Sequence, residues 1–201
     1  MQRSVTFLTM DEIQAVLKDL HRWEKRRYTS NHRNLAIFRL SCCLGLRACE
    51  ISGLNMSDLD WGSQPKLRVR KSVTKGKKRA RVLPLTIDKG CHDDLWNWYK
   101  VRASQGAQRN DPFVCSRKLT RMHPCTIAQR WRYAIRILGA DRVRQLSVHK
   151  GRHSFCTHLV DQGYSLPTVR DLAGHSNVAT TDIYAHTVEV MRISNVFGGG
   201  K

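Results

Sequence analysis

Three segments of the chain carry residue types that could together break and rejoin a phosphodiester bond. In the last of them, residues 172–184, a Gly-His pair is followed nine positions later by Tyr184. Upstream lie the segments His149-Lys-Gly-Arg152 and Gly45-Leu-Arg47-Ala-Cys-Glu50. Metal-free phosphodiester chemistry requires cations that neutralise the phosphate and a nucleophile such as a phenol. Tyr184 is therefore the best candidate for a nucleophile that becomes covalently joined to the phosphate.

The two upstream segments can each be interpreted in two ways. Glu50 follows Arg47 at i+3, the spacing of an ordinary surface ion pair or of a carboxylate that orients a guanidinium toward a phosphate. On a helix, His149 and Arg152 would share one face and could converge on one anion. The simpler alternative is the first turn of a helix in which His153 only packs.

Tyr184 and His175 also have a purely structural interpretation, as an amphipathic tyrosine near a buried histidine. The chain contains four other tyrosines, and none of them follows such a Gly-His turn. These are Tyr28, Tyr99, Tyr133 and Tyr164. Position thus favours Tyr184 as the reactive phenol.

The whole chain is strongly basic. Its 201 residues include 35 Lys plus Arg against 16 Asp plus Glu, which gives a net charge of +19. Such a chain repels itself, and the usual compensation is a polyanionic partner such as double-stranded DNA. An anionic membrane surface is the rival explanation, but no apolar run approaches the length of a membrane span and no signal peptide is recognisable. We therefore expect DNA and no membrane.

The cysteines and histidines do not indicate a metal site or a disulfide framework. The seven cysteines are scattered, and no Cys-x-x-Cys pair occurs. His153, Cys156 and His158 could be imagined as metal ligands, but without a second ligand cluster one helix with a buried thiol is the better interpretation. We expect no metal, no cofactor and a reducing cytoplasm.

Periodicity predicts a mainly α fold with a small antiparallel β-sheet (α+β). Thr9-Met-Asp-Glu12 has the form of a capping box that opens a first amphipathic helix. Charged and apolar residues between 66 and 85 surround a glycine-containing turn, Thr74 to Lys77, which predicts a β-hairpin. Further helical patterns cover about residues 35–44, 47–54, 88–104, 124–138, 149–162, 165–174, 178–186 and 187–196.

The predicted hairpin is the most basic part of the chain. Residues 66–81 contain nine Lys or Arg and no acid. A solvated edge that resists strand aggregation is the ordinary interpretation of such a run, whereas the overall charge favours a phosphate-gripping arm. The candidate DNA-binding residues are Arg70, Lys71, Lys77, Lys78, Arg79 and Arg81.

Together these segments resemble the catalytic domain of the tyrosine recombinase (phage integrase) family, over nearly the whole chain. The family pattern has an arginine in Gly-Leu-Arg-x-x-Glu, a lysine on a β-hairpin turn, His-x-x-Arg, a Gly-His pair and a tyrosine nine residues on. These positions are Arg47, Lys75, His149, Arg152, His175 and Tyr184. Two departures occur: Gly151 stands where the family usually has an apolar residue, and the usual Leu-Gly-His turn reads Ala173-Gly174-His175.

The resemblance implies a site-specific DNA recombinase or integrase, typical of mobile genetic elements, with the tyrosine recombinase catalytic-domain fold. Tyr184 would attack the scissile phosphate to give a 3′-phosphotyrosyl link and a free 5′-hydroxyl, while the arginines stabilise the phosphorane. Lys75 would protonate the leaving oxygen, His149 would accept or relay the tyrosine proton, and His175 would hydrogen-bond a non-bridging oxygen. No metal or nucleotide would be required. Glu50 and His153 would support these groups.

Two alternatives to a recombinase stay open at this point. A type IB topoisomerase shares the chemistry and much of the constellation, and would nick and close DNA without a specific site. A non-catalytic DNA-binding relative would have the same charge, but no reason to keep all six polar residues at these spacings.

The resemblance also implies a domain organisation and an assembly. Residues 1–197 would form the catalytic domain, residues 198–201 a disordered tail, and the N-terminal core-binding domain of the family is expected to be absent. Recombination in the family proceeds in a tetramer on two duplexes, so we expect a monomer that self-associates on DNA in the cytoplasm, at the nucleoid. Val188, Met191 and Val196 could dock on a neighbour or pack on the chain's own core.

Overall fold

The fold is mainly helical. A computed structural model of the protein describes residues 7–22, 28–74 and 80–174. Across these residues the chain forms eight α-helices: α1 (Met10–Arg22), α2 (Tyr28–Cys42), α3 (Ala48–Gly53), α4 (Lys89–Ser104), α5 (Pro124–Ala134), α6 (Ala140–Gln145), α7 (Val148–Asp161) and α8 (Leu166–Ala173). Short 3-10 turns span Met56–Asp58, Lys71–Val73, Leu85–Ile87 and Arg136–Leu138. The helical pieces predicted at 178–186 and 187–196, and the tail at 198–201, lie outside the described residues.

A three-stranded antiparallel sheet follows α3, in the order β1 (Leu59–Asp60), β2 (Lys66–Val69) and β3 (Arg81–Pro84). Strands β2 and β3 pair in the register Leu67 opposite Leu83 and Val69 opposite Arg81, and all four of these side chains are buried. Side chains alternate between the two faces of a strand, so Leu67 and Val69 share one buried face. The predicted mainly α fold with a small antiparallel sheet is confirmed, and β1 is an addition to it.

Helix α2 lies at the centre of the core and packs against α1, α4, α5 and α7. Its middle, residues 35–38, is completely buried, and Phe38 stacks on the buried Trp131 of α5. Trp98 of α4 is also buried, and its indole N–H donates to the carbonyl of Phe113 at 2.9 Å. Because both large indoles contact other elements, the helices are fixed against α2 by side-chain packing as well as by chain connectivity.

The caps at the helix ends agree with the sequence. The backbone N–H of Thr9 donates to Glu12 at 2.9 Å, and the backbone N–H of Glu12 donates to the Thr9 hydroxyl at 3.2 Å. Ser165 accepts from the backbone N–H of Thr168 and caps α8, which ends at Gly174 with φ of +67°. Polar caps and a left-handed terminal glycine satisfy backbone groups that a helix leaves unpaired.

The segment before α1 lies along α7. The backbone N–H of Leu8 donates to the Ser154 hydroxyl at 2.8 Å, and the His158 ring is hydrogen-bonded to the Leu8 carbonyl at 2.9 Å. His158 is thus occupied by a backbone contact. All seven cysteines are free thiols. In the part of the chain described here, no helix is both long enough and apolar enough to span a membrane.

Candidate active site

Arg47 lies at the point where a left-handed turn meets a helix. Gly45 has φ of +66°, a conformation that favours glycine, and a Cβ at this position would lie 2.4 Å from a ring carbon of Phe155. The backbone N–H of Arg47 then donates to the Glu50 carboxylate at 2.9 Å, which holds the start of α3. Gly45 therefore lets α7 approach this turn. The Arg47 side chain is 24% exposed.

Helix α7 places the second arginine beside the same turn. A Cβ on Gly151 would lie 2.3 Å from the Ser41 hydroxyl and 2.9 Å from the Cys42 sulfur, so the glycine permits the close approach of α7 to α2. The Arg152 side chain is 1% exposed, and its Nη1 donates to the Gly45 carbonyl at 2.8 Å. Its Nη2 is buried and has no hydrogen-bond partner among the described residues.

A completely buried carboxylate, Glu50, lies at the centre of three arginines. Arg81 binds it through both terminal nitrogens, with Nη1 to Oε1 at 2.9 Å and Nη2 to Oε2 at 2.8 Å. Arg47 Nη1 lies 3.2 Å from Oε1, and Arg152 Nη1 lies 3.8 Å from Oε2. Three guanidinium charges against one carboxylate leave this cluster with two net positive charges. Two-pronged contacts of this kind fix the orientation of both partners.

The electrostatics keep Glu50 and Arg152 ionised at neutral pH. Burial raises the pKa of Glu50, but the hydrogen bonds and charge of Arg81 and the backbone N–H of Arg47 outweigh burial, and the pKa lies below its ordinary value. Burial is the main cause that lowers the pKa of Arg152 to about 10, followed by the charge of Arg47. An excess of positive charge is thus held in a poorly solvated place, where it attracts anions strongly.

The two histidines of α7 lie next to each other, one helical turn apart. The rings of His149 and His153 meet edge to face, with centroids 5.1 Å apart, and His149 is exposed. Burial, followed by the charges of His149 and Lys150, lowers the pKa of His153 to about 4. His153 is therefore neutral at physiological pH and can act there as a hydrogen-bonding group.

The structure brings together Arg47, Glu50 and Arg152 from the predicted catalytic and supporting residues, with Arg81 from the predicted DNA-binding set. Lys75, His175 and Tyr184 lie outside the described residues, so their placement stays a prediction. Of the predicted DNA-binding set, Lys77, Lys78 and Arg79 also lie outside the described residues. Lys71 is exposed, as such a role requires.

Arg81 is buried, unlike a residue of an exposed phosphate-gripping arm, whereas the Arg70 side chain is 36% exposed and also binds protein groups. Arg70 donates to Asp58 at 2.9 Å and to the Gly53 carbonyl at 2.6 Å, so it joins β2 to the end of α3. Arg81 is buried on Glu50. Its role beside Glu50 was missed, although Arg81, Leu83 and Leu85 alternate in the sequence and all three are buried.

The end of α8 lies against the same cluster. A Cβ on Gly174 would lie 2.9 Å from Arg81 Nη1, so both this close approach and the left-handed turn favour glycine. His175 is the next residue in the chain. The described residues contain no group of three or more His, Cys, Asp or Glu side chains that could hold a metal ion.

Comparison with known proteins places this geometry in a family. The phage integrase family model matches residues 6–190. The tyrosine recombinase XerC of Shewanella amazonensis is 33% identical over 171 residues, which cover 83% of this chain and 53% of that protein. XerC of Pseudomonas savastanoi pv. phaseolicola is 36% identical over 157 residues, or 77% of this chain and 48% of that protein. The chain thus spans about half the length of the relatives that it matches.

Solved structures share the fold. The crystal structure of XerA recombinase covers 100% of this chain and 65% of its own, with a TM-score of 0.74 and 23% identity. XerH site-specific recombinase bound to palindromic difH substrate covers 96% of this chain and 52% of its own, with a TM-score of 0.73 and 21% identity. The helical domain with its small sheet is therefore the fold of tyrosine recombinases. Both the sequence match and the fold lead to one conclusion, that the chain belongs to the phage integrase family of tyrosine recombinases.

Proposed function

We propose that this protein is a site-specific DNA recombinase that breaks and rejoins DNA strands through a covalent intermediate on Tyr184. The observation that carries the proposal is the cluster around Glu50, which holds Arg47 and Arg152 with an excess of positive charge. The buried Nη2 of Arg152 is a cationic donor that an oxygen of a phosphate would satisfy. Membership of the phage integrase family supports the same chemistry.

In the proposed reaction, the Tyr184 oxygen attacks the scissile phosphorus and forms the 3′-phosphotyrosyl bond. The bond from phosphorus to the 5′-oxygen breaks, and Lys75 donates the proton that makes this oxygen a hydroxyl. His149 accepts the proton of the phenol, and His175 donates a hydrogen bond to a non-bridging oxygen. Guanidinium groups aimed at the phosphate stabilise the charge that develops on the pentacoordinate phosphorus. Rejoining is the reverse attack by a 5′-hydroxyl.

We also propose that the reaction needs no metal ion and that the protein acts as a tetramer on DNA. Because arginines supply the positive charge at the phosphate, the reaction proceeds without a divalent metal ion, and we expect it to continue in EDTA. Residues 1–197 act as the catalytic domain on double-stranded DNA, and four copies assemble on two duplexes at the bacterial nucleoid. The XerH structure is bound to a palindromic difH substrate, which supports a DNA partner for this chain.

The decisive experiment is a covalent trapping assay with a nicked suicide duplex. Wild-type protein should give a protein–DNA adduct that survives denaturation, and Tyr184→Phe should bind the duplex equally well but form none. Tyr164→Phe is the matched control, because this tyrosine is exposed near the end of α7 and should keep the adduct. An adduct that persists in Tyr184→Phe would overturn the assignment. Relaxation of supercoiled plasmid without any specific site would instead assign the protein to the topoisomerase alternative.

A further inference from the structure

A basic cavity that shares no lining residue with the Glu50 cluster lies between the first half of α2, the loop before α5, and α5 itself. It has a volume of about 260 Å³. Four cationic side chains line it: Arg33 from α2, Arg117 and Lys118 from the loop, and Arg130 from α5. Among its lining residues there is no acidic side chain. A cavity with this lining selects for an anion.

Arg33 is the unusual member of this set, because it is a buried cation without a counter-charge. The residue is 3% exposed, and its Nη1 donates to the Cys115 carbonyl at 3.3 Å. Its Nε is buried and has no hydrogen-bond partner among the described residues, and none of the carboxylates described forms an ion pair with it. Burial, followed by the charge of Arg130, lowers the pKa of this guanidinium. An unpaired buried cation costs folding free energy, and a bound anion would offset that cost.

The loop presents its two cations at the mouth of the cavity. The backbone N–H of Ser116 donates to the Thr120 carbonyl at 2.8 Å, and the N–H of Leu119 donates back to the Ser116 carbonyl at 3.1 Å. This closes a tight turn whose tip carries Arg117 and Lys118, both exposed. The cavity is thus lined by one buried guanidinium, Arg33, and by the two exposed cations of the loop.

Two residues with hydroxyl groups and the apolar Met122 complete the lining. Thr126 lies in the first turn of α5, one turn before Arg130 on the same face, and Ser116 lies at the base of the loop. Guanidinium groups match the oxygens of a phosphate in pairs. The Thr126 hydroxyl can donate a further hydrogen bond, whereas the Ser116 hydroxyl is already hydrogen-bonded to the Thr120 hydroxyl at 2.8 Å. A carboxylate has two oxygens and would leave much of this donor set unused.

We propose that the Arg33 cavity binds a phosphate oxyanion and that, if the protein acts on DNA as proposed above, this oxyanion is a backbone phosphodiester of the duplex. The contact is sequence-independent and serves to fix the position of the domain on DNA, because phosphate contacts position and base contacts specify. The exposed rim lets the two flanking sugars remain outside the cavity while the phosphate enters it.

The first test measures affinity for a fluorescently labelled duplex by anisotropy over a range of KCl concentrations. Arg130→Gln and the double change Arg117→Gln with Lys118→Gln should each weaken binding about tenfold and lower the salt slope by about one phosphate contact. Arg132→Gln is the matched control, since Arg132 is an exposed cation of α5 that does not line the cavity. Equal effects of Arg130→Gln and Arg132→Gln would overturn the proposal.

The second test uses Arg33→Met, which removes the buried charge and keeps a long side chain. Without an anion, this variant should melt at a higher temperature than the wild type, because the unpaired cation is gone; with duplex DNA it should bind about tenfold more weakly. A melting temperature that falls and an affinity for DNA that stays unchanged would together show that Arg33 serves only the core, and would overturn the proposal.

Free phosphate is the other possible source of the oxyanion. Inorganic phosphate, compared with chloride at equal ionic strength, should raise the melting temperature of the wild type and leave that of Arg33→Met unchanged. If phosphate raises the melting temperature of the wild type but the variants keep their affinity for DNA, DNA is not the source of the oxyanion.

The Tyr184 adduct assay separates this proposal from the proposed function. If the wild type forms the adduct and the cavity variants bind DNA like the Arg132 control, only the cavity proposal fails. If the cavity variants lose DNA affinity and no adduct forms, only the proposed function fails.

Discussion

Glu50 is the residue on which the candidate active site depends, because one carboxylate holds three guanidinium groups from three elements. Arg47 precedes α3, Arg81 begins β3, and Arg152 belongs to α7. Among the described residues, Glu50 is the only anion that offsets the mutual repulsion of these three arginines. A buried ion pair is not by itself strong support for stability, but the removal of one partner leaves uncompensated charge and is costly.

Glu50→Gln should therefore lower the free energy of unfolding by about 3 kcal/mol and should reduce adduct formation, because Arg47 and Arg152 lose their common support. The measurement is urea denaturation at neutral pH. Glu12→Gln is the control: Glu12 also caps a helix and pairs with an arginine, Arg142, at 2.6 Å, but this pair is part-exposed. Its loss should cost about 1 kcal/mol or less. Equal costs for the two variants would contradict the central role of Glu50.

The contribution of Glu50 should also depend on pH. Its pKa in the folded protein lies below the ordinary value of 4.5, so the unfolded chain binds the proton first. Stability from this group is therefore present above about pH 4.5 and is lost as the pH falls through the folded pKa. The wild type should lose stability in that range, and Glu50→Gln should show a flatter profile there.

His153 gives a separate pH prediction. Its pKa is about 4 in the folded protein against 6.5 for the ordinary group, so the unfolded chain binds a proton that the folded chain refuses. The free energy of unfolding should thus decrease as the pH falls from 6.5 to about 4. Below about pH 4, His153 should cause no further decrease. His153→Gln should flatten the profile in this interval, as followed by urea denaturation. His92→Gln, a change on the surface of α4 beside Asp93, is the control, and an equal flattening there would refute the role of His153.

At the scale of elements, the position of α7 depends on Gly151. Glycine in a helix costs about 1 kcal/mol relative to alanine, so its presence needs a reason. The reason is close packing on α2, where a Cβ would lie 2.3 Å from Ser41 Oγ and 3.1 Å from a ring carbon of Trp131. The departure from the usual apolar residue of the family at this position therefore reflects local packing between α7 and α2.

Gly151→Ala should consequently destabilise the protein by about 2 kcal/mol, in spite of the better helix propensity of alanine, because the added methyl group overpacks the interface. Gly62→Ala is the control, since a Cβ there would meet only the Asp60 side chain, at 3.4 Å in an exposed turn. Thermal unfolding of both variants makes the comparison. A Gly151→Ala protein that is more stable than the wild type would show that α7 moves freely away from α2.

Local signals predicted several of these elements, and tertiary contacts decided the others. The capping box at Thr9 and the glycine ends at Gly45 and Gly174 act between neighbours in sequence, so periodicity and cap residues located them. Helix α2 begins at Tyr28, seven residues before the predicted start, because Asn31 and Arg33 break the apolar pattern although the fold buries them. Strand β1 has two residues, which is too few to show a period of two.

The candidate site likewise combines contacts between neighbours in sequence with contacts that only the fold creates. The spacing of Arg47 and Glu50 is local, and the sequence predicted their pairing. The approach of Arg81 depends on strand pairing and on the packing of β3 near α3, which connects residues 31 positions apart. The basic run around the hairpin therefore looked uniform in sequence. In the fold, however, Arg81 is buried and Arg70 is hydrogen-bonded to the end of α3.

At the scale of the whole molecule, the dominant quantity is the net charge of +19. Self-repulsion of this size opposes the compact state, and salt screens it. In the absence of DNA, the melting temperature should therefore rise between about 0.05 and 0.5 M NaCl. A variant with the exposed cations Lys100 and Arg132 changed to Gln should respond less to salt. A melting temperature that falls as salt is added would show that attractive ion pairs outweigh repulsion.

The position of Arg81 restricts which substitutions the sequence can accept at other positions. Its guanidinium binds Glu50, and its Nη1 lies 2.9 Å from the place that a Cβ on residue 174 would take. A larger residue at 174 would push Arg81 away, and the buried Glu50 would lose its closest cation. Conversely, a shorter side chain at 81 would make room at 174, but the buried Glu50 carboxylate would then lack its closest cation. Positions 50, 81 and 174 are therefore expected to vary together among related chains, as a single coupled unit spread over most of the sequence.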